Sequence, residues 1–483
     1  MSYIFNNKKL TYNDKWLGRP YITWIVLNYG TIITGNPKVY AGQTSPFTVV
    51  PAEGYDYCRA AKYLETNGEP FYKFPYPTSS LEVTTDLYYD GYQGHHVFAC
   101  VGDVNFDIDT NNPTTPNTFR LKYKPNTSPT VNLNGGPNTY TVTLVDAVDN
   151  IYDITNTSYY WNSTLKDDTN LLEIVGFMPY GTNQWGQTNQ YLTSGLYNTF
   201  EGCTSLTSLP ARFDLTGIDE CTYTFKGCTS LVNLPVYASY MPLPTLADFT
   251  GMFYGCTSLV HLPVNNACKG ELGSIKTSYM FYGCTSLVDT LECTCYNDAS
   301  YMYYNCKNIE SAIAHIGNTN CESMFNGCTK LKTVNLTINK WGKVKSKRMF
   351  MGCTNLTSII LDTPADHFDT VFRLNEDSGY MFADCAKLSA IPTLDTSTVE
   401  DTRYMYRGCT SITTVPLLNL SSATYIAGIF KNCYYVQSGA LALYQQTSTQ
   451  ANPPRVYDEA FMNCGIYTTT GAAELAQIPS SWK

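Results

Sequence analysis

Apolar and polar positions recur in one fixed order from about residue 196 to the C-terminus. An aromatic residue, any residue, Gly or Asn, Cys, usually Thr, and an aliphatic residue three places after the Cys form the motif. The motif occurs at Cys203, Cys228, Cys256, Cys284, Cys306, Cys328, Cys353, Cys385, Cys409, Cys433 and, in degenerate form, Cys464. A recurrence of about 20–30 residues predicts a solenoid, because a short unit buries its apolar face only against its neighbours.

Each motif position predicts a structural role. The aromatic residue packs inward from a short helical turn, and Gly, Asn or Asp then ends that turn with a positive φ. The Cys and the aliphatic residue point into the core, and a short strand closed by Pro follows, as in Leu206–Pro210. The predicted repeat core comprises Phe200, Cys203, Leu206, Phe225, Cys228, Leu231, Phe253, Cys256, Leu259, Phe281, Cys284, Leu287, Phe325, Cys328, Leu331, Phe350, Cys353, Leu356, Phe382, Cys385, Leu388, Cys409 and Cys433.

The complete motif from Met252 to Pro263 resembles the BspA-type (Treponema-type) leucine-rich repeat, and the resemblance covers roughly residues 196–470. It implies a curved parallel-sheet solenoid used for adhesion or protein binding. The sequence departs from the pattern in long inserts before Cys385 and Cys464 and in a broken last motif. The segment Gly471–Ile478 predicts a short helix that caps the final repeat.

Eighteen cysteines would suit a disulfide framework in a secreted chain. Eleven of them share one repeat position, and equivalent positions stack in a solenoid. We therefore expect reduced, buried cysteines, and disulfide bonding stays open as the alternative.

The N-terminal part predicts β structure. Residues 1–35 form an arm in which Trp16 and Trp24 are candidate partner contacts. Residues 36–115 form a small β domain, in which Phe47–Tyr55 resembles the turn of small immunoglobulin-like modules. Residues 116–180 form a second β region, and whether 36–180 is one domain or two stays open. The predicted fold class is therefore mainly β. Immunoglobulin-like N-terminal modules precede a leucine-rich-repeat solenoid at 181–470, which has short parallel strands and short helical turns. A cap follows at 471–483.

The composition limits the classes of function that the protein can have. The 483 residues carry a net charge of −9, which argues against a nucleic-acid binder. No apolar run suits a signal peptide or the ~20 residues of a membrane span, so we expect synthesis in a cytoplasm without export.

Candidate chemistry is sparse. Only five histidines occur, and no catalytic motif is present, so we expect no enzyme activity, no cofactor and no metal. The pair His95-His96, the segment Asp107–Asn112 and the pair Cys293 and Cys295 are weak metal signals. The basic cluster is either a solvated insertion loop or a contact for an acidic partner; its residues are Lys340, Trp341, Lys343, Lys345, Lys347 and Arg348.

Three functions follow as hypotheses. The favoured one is a structural protein of a tailed bacteriophage of gut bacteria, in the tail, a fibre or the capsid decoration, present in several copies. Its partners are other virion proteins or a host-surface protein or glycan. The low charge, the N-terminal modules and a composition rich in Asn, Thr and Tyr favour this function. The segment Gly471–Trp482 also resembles repeat proteins of such phages. The alternatives are a bacterial surface adhesin with the same repeats and a glycan-degrading tail enzyme, which would need paired carboxylates.

Overall fold

The computed structural model describes residues 117–132, 140–156, 161–178, 195–210, 220–234, 248–262, 276–290, 298–316, 319–338, 342–361, 371–416 and 418–483. It also describes the backbone of 294–295 and of the strands before residue 104. The chain divides into two compact units, Met1–Thr110 and Asn111–Lys483.

The described residues of the first unit form nine strands: β1 (Thr11–Tyr12), β2 (Lys15–Trp16), β3 (Trp24–Asn28), β4 (Gly30–Thr34), β5 (Phe47–Pro51), β6 (Tyr57–Leu64), β7 (Pro70–Lys73), β8 (Leu81–Val83) and β9 (His96–Asp103). They form a β1-β2 ribbon, a β3-β9-β6-β7 sheet and a β4-β5-β8 sheet. The interior strand β6 carries residues of low β-propensity in Arg59, Ala60, Ala61 and Lys62, so its sequence alone does not mark it as a strand. The immunoglobulin-like assignment stays a prediction.

The second unit begins with an antiparallel sheet of β10 (Thr118–Tyr123), β11 (Tyr140–Asp146), β12 (Ile151–Asn156) and β13 (Leu171–Met178), in the order β11-β12-β10-β13. Phe119, Leu121 and Ile154 are fully buried on one face. The ring of Phe119 meets that of Phe200 edge-on at 5.1 Å, so this sheet shares a core with the first cysteine repeat.

The repeats stack as the rungs of a parallel solenoid, which confirms the predicted fold class for this part of the chain. Each rung carries a bridge residue eight places before its Cys, as at Glu220, Asp248 and Lys276, which pair in sequence. Many rungs also pair five places after the Cys, as Asn233 does with His261. These two contact lines set the register of the stack.

The described part of the solenoid also contains short regular strands. They are β14 (Thr294–Cys295), β15 (Ser311–Ile316), β16 (Thr333–Ile338) and β17 (Ser358–Leu361), all parallel, followed by β18 (Phe372–Arg373) and β19 (Leu394–Asp395). In β15 the residues alternate between buried and more exposed positions, which is the pattern of a half-buried strand.

The prediction of a short helical turn in every repeat is wrong. In the described part of the chain the α-helices are α1 (Ala440–Ser448), inserted before the last rung, and α2 (Thr469–Gln477), followed by a 3-10 turn at Ser480–Trp482. The segment before each Cys is a chain of turns, because its backbone N–H groups bond alternately within the rung and to the next rung.

Aromatic rings form a continuous column through the solenoid core. From Phe200 to Phe461 the consecutive rings lie 5.1 to 6.1 Å apart and within 22° of parallel. Tyr303 and Tyr406 take the place of Phe in two rungs. The column keeps all rungs in one register, which fixes the positions of their outward side chains.

Candidate recognition surface

Two backbone positions with positive φ shape every rung. The first is the Gly, Asn or Asp directly before the Cys, such as Gly283 (φ 72°) and Asn305 (φ 59°), as predicted. The second lies five places before the Cys and escaped prediction; Tyr279 (φ 59°) and Tyr301 (φ 58°) occupy it. Because a left-handed residue reverses the local direction of the backbone, the two positions fold the segment into successive turns.

Four backbone N–H groups of a rung donate to carbonyls of the following rung. In the rung of Cys284, the donors are Thr277, Tyr279, Phe281 and Gly283, at N···O distances of 2.8 to 3.0 Å. The bonds recur in the other rungs. They satisfy buried backbone groups that a lone turn would leave unpaired, so the rungs hold one another in place.

The cysteine thiol adds a bond in the opposite direction along the stack. Cys306 Sγ–H donates to the carbonyl of Phe281 at 3.1 Å, and each rung from Cys203 to Cys433 repeats this contact at 3.0 to 3.1 Å. The thirteen cysteines described are all free and buried. The Cys column is therefore a structural ladder, in line with the expectation of reduced thiols.

The structure buries every residue of the predicted repeat core, from Phe200 to Cys433, with no more than 1 % of its surface exposed. These residues build the rungs and lie out of reach of a partner.

One rung of the solenoid lacks the sequence motif. Leu165, Asp167, Asp168 and Leu171 occupy the places of the aromatic residue, Gly, Cys and aliphatic residue, and Asp167 has the expected positive φ of 61°. Leu165 N and Asp167 N donate to Thr199 O and Glu201 O of the next rung. The motif was hidden because neither the Cys nor the aromatic residue is present. The φ-tolerant Asp and the spacing to Leu171 are the signals that could have found it.

Outward positions two and five places before the Cys form a surface of tyrosines. We define the tyrosine face as Tyr223, Tyr254, Tyr279, Tyr282, Tyr301 and Tyr304, which lie on four consecutive rungs and are all partly exposed. Tyr254, Tyr282 and Tyr304 form an outer row, with ring centroids 4.5 and 4.6 Å apart and planes within 3°. Tyr279 and Tyr301 form an inner row at 4.8 Å.

A glycine accommodates the remaining tyrosine of the face. A Cβ on Gly251, which has a φ of 59°, would lie 2.1 Å from Cε1 of Tyr223. The Tyr223 ring therefore lies over the space that a side chain at position 251 would fill. In the rung of Cys256, Gly251 stands where the inner row would have a tyrosine, and the Tyr223 ring covers that position.

Charged residues border the tyrosine face on both sides. At one end Lys226 Nζ lies 5.0 Å from the ring centre of Tyr223 and 5.9 Å from that of Tyr254. At the other end the Tyr301 hydroxyl donates to Glu322 Oε1 at 3.2 Å. Burial is the largest cause that raises the pKa of Tyr279, Tyr282 and Tyr301. The next largest cause is a neighbouring phenol for Tyr279 and Tyr282, and the carboxylate of Glu322 for Tyr301. These phenols therefore stay neutral at physiological pH.

None of the predicted partner contacts is a member of the tyrosine face as defined above. Trp16 and Trp24 are described only in their backbone, and Lys340 and Trp341 lie outside the described residues. Lys343 and Lys345 are exposed, whereas Lys347 pairs with Asp377 at 2.7 Å and Arg348 with Glu322 at 3.7 Å. Residues 344–350 belong to the rung of Cys353, so the interpretation as an insertion loop is wrong for them. A contact with an acidic partner stays a prediction.

The weak metal signals stay predictions, because their side chains lie outside the described residues. Within the part of the chain that the structure describes, no group of three or more His, Cys, Asp or Glu is placed to hold a metal ion. Asp107–Asn112, His95 and Cys293 lie outside it, and His96 and Cys295 are described only in their backbone. The described helices include none that is long and apolar enough to cross a bilayer.

The fold and the surface together define a leucine-rich-repeat solenoid protein. Residues 193–320 and 250–373 match the family described as BspA type Leucine rich repeat region, with six copies, so the repeats of this region are similar to that type. Residues 319–444 match the family described as Mycoplasma protein of unknown function, DUF285. No curated protein and no solved structure matched the chain.

Proposed function

We propose that this protein is a non-enzymatic recognition protein whose solenoid presents the tyrosine face to a protein or glycan on a host surface. The observation that carries the proposal is the clustering of tyrosines at outward positions on four consecutive rungs. The N-terminal modules would serve assembly, and several copies would act together.

The rungs do not need tyrosine at these positions. Two places before the Cys, other rungs carry residues such as Glu201, Asn326, Met351 or Ala383. Five places before it, other rungs carry Asn198, Ser323, Arg348, Gly428 or Glu459, and two later rungs carry Tyr380 and Tyr404. All of these rungs stack in the same register. Because the fold tolerates so many residue types here, a cluster of six tyrosines suggests selection for what the surface contacts.

The geometry suits a binding surface. Tyrosine offers a large amphipathic contact area at a low entropic cost. Stacking of Tyr282 between Tyr254 and Tyr304 already restricts its ring, so little further freedom is lost when a partner binds. The ring of Tyr282 is stacked on both faces, so its edge is what remains for a partner to contact.

The setting we favour is the virion of a tailed bacteriophage of gut bacteria, on the strength of the low charge, the Asn/Thr/Tyr-rich style and the N-terminal β modules. The bacterial cell surface is the second candidate, and the BspA-type repeat match favours it because that resemblance implies adhesion. Mass spectrometry of purified virions beside host envelope fractions separates them. Recovery in virions supports the first setting, and recovery in envelopes alone rejects it.

The recognition role is tested by binding of fluorescent full-length protein to intact bacteria, measured by flow cytometry. Replacing Tyr254, Tyr282 and Tyr304 together by Ser should lower the affinity about tenfold or more, since aromatic contacts dominate such interfaces. The matched control replaces Tyr435 and Tyr467, which are exposed outside the tyrosine face, and should bind normally. Equal binding by both variants would refute the role of the face.

A further inference from the structure

Arg348 is a partly exposed cation in line with the inner row of the tyrosine face. It lies five places before its Cys, as Tyr279 and Tyr301 do, and two rungs beyond Tyr301. Its guanidinium lies over the ring of Tyr380, 5.4 Å from the ring centre, which holds the side chain in place. Its ion pair with Glu322 is long, at 3.7 Å from Nη1 to Oε1, which exceeds hydrogen-bond distance. Among the described residues, the guanidinium of Arg348 therefore has no hydrogen-bond acceptor.

Two other cations nearby are already paired. Arg403 also lies over a tyrosine ring, at 5.0 Å, but its Nε and Nη2 donate to Asp401 at 3.0 and 2.6 Å. Lys347, which precedes Arg348 in the chain, pairs with Asp377 at 2.7 Å. Arg348 differs from both in combining a stacked guanidinium with donors that no described residue accepts.

The tyrosine face already binds one carboxylate of this chain at its rim. The Tyr301 hydroxyl donates to Oε1 of Glu322 at 3.2 Å, and this is the oxygen that lies 3.7 Å from Arg348. A hydrogen bond to a charged acceptor is stronger than one between neutral groups. Glu322 is therefore engaged by the phenol, so a carboxylate from a partner can take the donors of Arg348.

The part of Tyr282 that a partner can reach also favours an anion. Its ring is stacked on both faces, between Tyr254 and Tyr304, so a partner meets the ring edge. The edge of an aromatic ring carries positive partial charge, whereas the face is negative. Sugar rings bind aromatic side chains by packing on a free ring face, which Tyr282 does not have. The centre of the outer row therefore favours acidic protein side chains over a glycan.

We propose that the partner of the tyrosine face is an acidic segment of a protein, and that an Asp or Glu carboxylate of this segment binds the guanidinium of Arg348. This assignment, which rests on the proposed function, names the class of partner for the same face. A planar guanidinium donates two parallel N–H···O bonds to a carboxylate, and the exposed Lys345 adds positive charge on the same rung. Two rungs, or about 10 Å, separate Tyr301 from Arg348, a distance that about three residues of extended chain span.

The test is binding of fluorescent full-length protein to intact bacteria over a range of salt concentrations. We expect Arg348→Gln to weaken binding about tenfold and to reduce the dependence of the affinity on salt, because the lost contact joins opposite charges. Arg348→Lys, which keeps the charge without the planar donors, should bind with intermediate affinity and keep the salt dependence. Thermal unfolding verifies that the variants are folded.

The matched control is Arg403→Gln, which removes a stacked arginine whose donors Asp401 already accepts; it should bind as the wild type does. Normal binding and an unchanged salt dependence in Arg348→Gln overturn the proposal. The proposed function stands in that case if replacing Tyr254, Tyr282 and Tyr304 still weakens binding, and it fails as well if that replacement has no effect.

Pretreatment of the bacteria identifies the class of partner. Protease should abolish binding, whereas periodate, which cleaves the vicinal diols of sugars, should leave binding unchanged. Binding that survives protease and is lost after periodate assigns the partner to a glycan and overturns the proposal.

Discussion

The cysteine at the repeat position combines two roles. Its sulfur fills a buried space in the column, and its S–H donates to the carbonyl of the aromatic residue in the preceding rung, as Cys306 does to Phe281. Alanine would leave a cavity, and valine would lack the donor. The spacing of the motif predicted that these cysteines are buried, but the thiol bond could not be predicted, because its acceptor lies about 25 residues away and is set by the stacking register.

We expect Cys306→Ala to lower the unfolding free energy by about 1–2 kcal/mol, from the lost sulfur contacts and the lost hydrogen bond. The measurement is the thermal unfolding midpoint at neutral pH. Lys307→Ala, a change of the exposed neighbouring residue, should leave the midpoint in place. A Cys306→Ala midpoint equal to that of the wild type would show that the thiol contributes nothing.

The buried thiols also predict sensitivity to alkali. Burial raises the pKa of Cys284 from 9.0 to about 12, and it raises the pKa of the other column thiols. Above pH 9 the unfolded chain loses these protons while the folded chain keeps them, so stability falls as pH rises from 9 towards 12. Each thiol contributes up to ~1.4 kcal/mol per pH unit. Unfolding midpoints from pH 7 to 10.5 test this; a flat profile above pH 9 would contradict it.

Two features of single residues could not be predicted from the sequence, and each has a physical cause. The second left-handed position is occupied by Tyr, Ser, Arg, Glu, Asn or Gly, so no residue type marks it in the sequence. The tyrosine face was missed for a related reason. Its members became neighbours only when rungs 22 to 28 residues apart were stacked in register, which an inspection of single motifs does not show.

At the scale of the element, the rung is incomplete without its neighbours, and the two ends of the stack need special residues. Asp168 stands in for Cys at the first end; its side chain accepts from Thr130 N and Asn170 N. At the last end the Trp482 carbonyl accepts from Phe461 N at 2.8 Å, in the role that a further rung would play. The Trp482 ring lies 4.6 Å from Tyr457 and 6.4 Å from Phe461, within 18° of parallel to each.

Removing the Trp482 ring should loosen the last rung. We expect Trp482→Ala to cost about 3 kcal/mol locally and to speed amide hydrogen exchange in 456–464 and 469–477. The rung of Cys306 should exchange as before, because stability in a solenoid depends on nearest neighbours. Trp482→Phe, which keeps a ring, should retain most of the protection. Unchanged exchange at the last rung in Trp482→Ala would contradict the capping role.

At the scale of the whole chain, the repeat spacing predicted a solenoid, and the structure contains one. The spacing could not distinguish a helical turn from a chain of turns, because both are compatible with inward aromatic residues and a closing Gly. The difference affects function. In a chain of turns, four backbone N–H groups of each rung bond to the next rung along the solenoid axis. This spacing brings the tyrosine ring centroids of neighbouring rungs to within about 5 Å of each other, so the rings stack.

The central claim is that a partner contacts the tyrosine face. Hydroxyl-radical footprinting of the full chain, free and bound to bacterial cells, measures this directly, since each tyrosine reports its own protection. The account predicts that Tyr254, Tyr282 and Tyr304 lose reactivity on binding, while Tyr435 and Tyr467 keep theirs. Protection of Tyr435 and Tyr467 with an unchanged tyrosine face would contradict it.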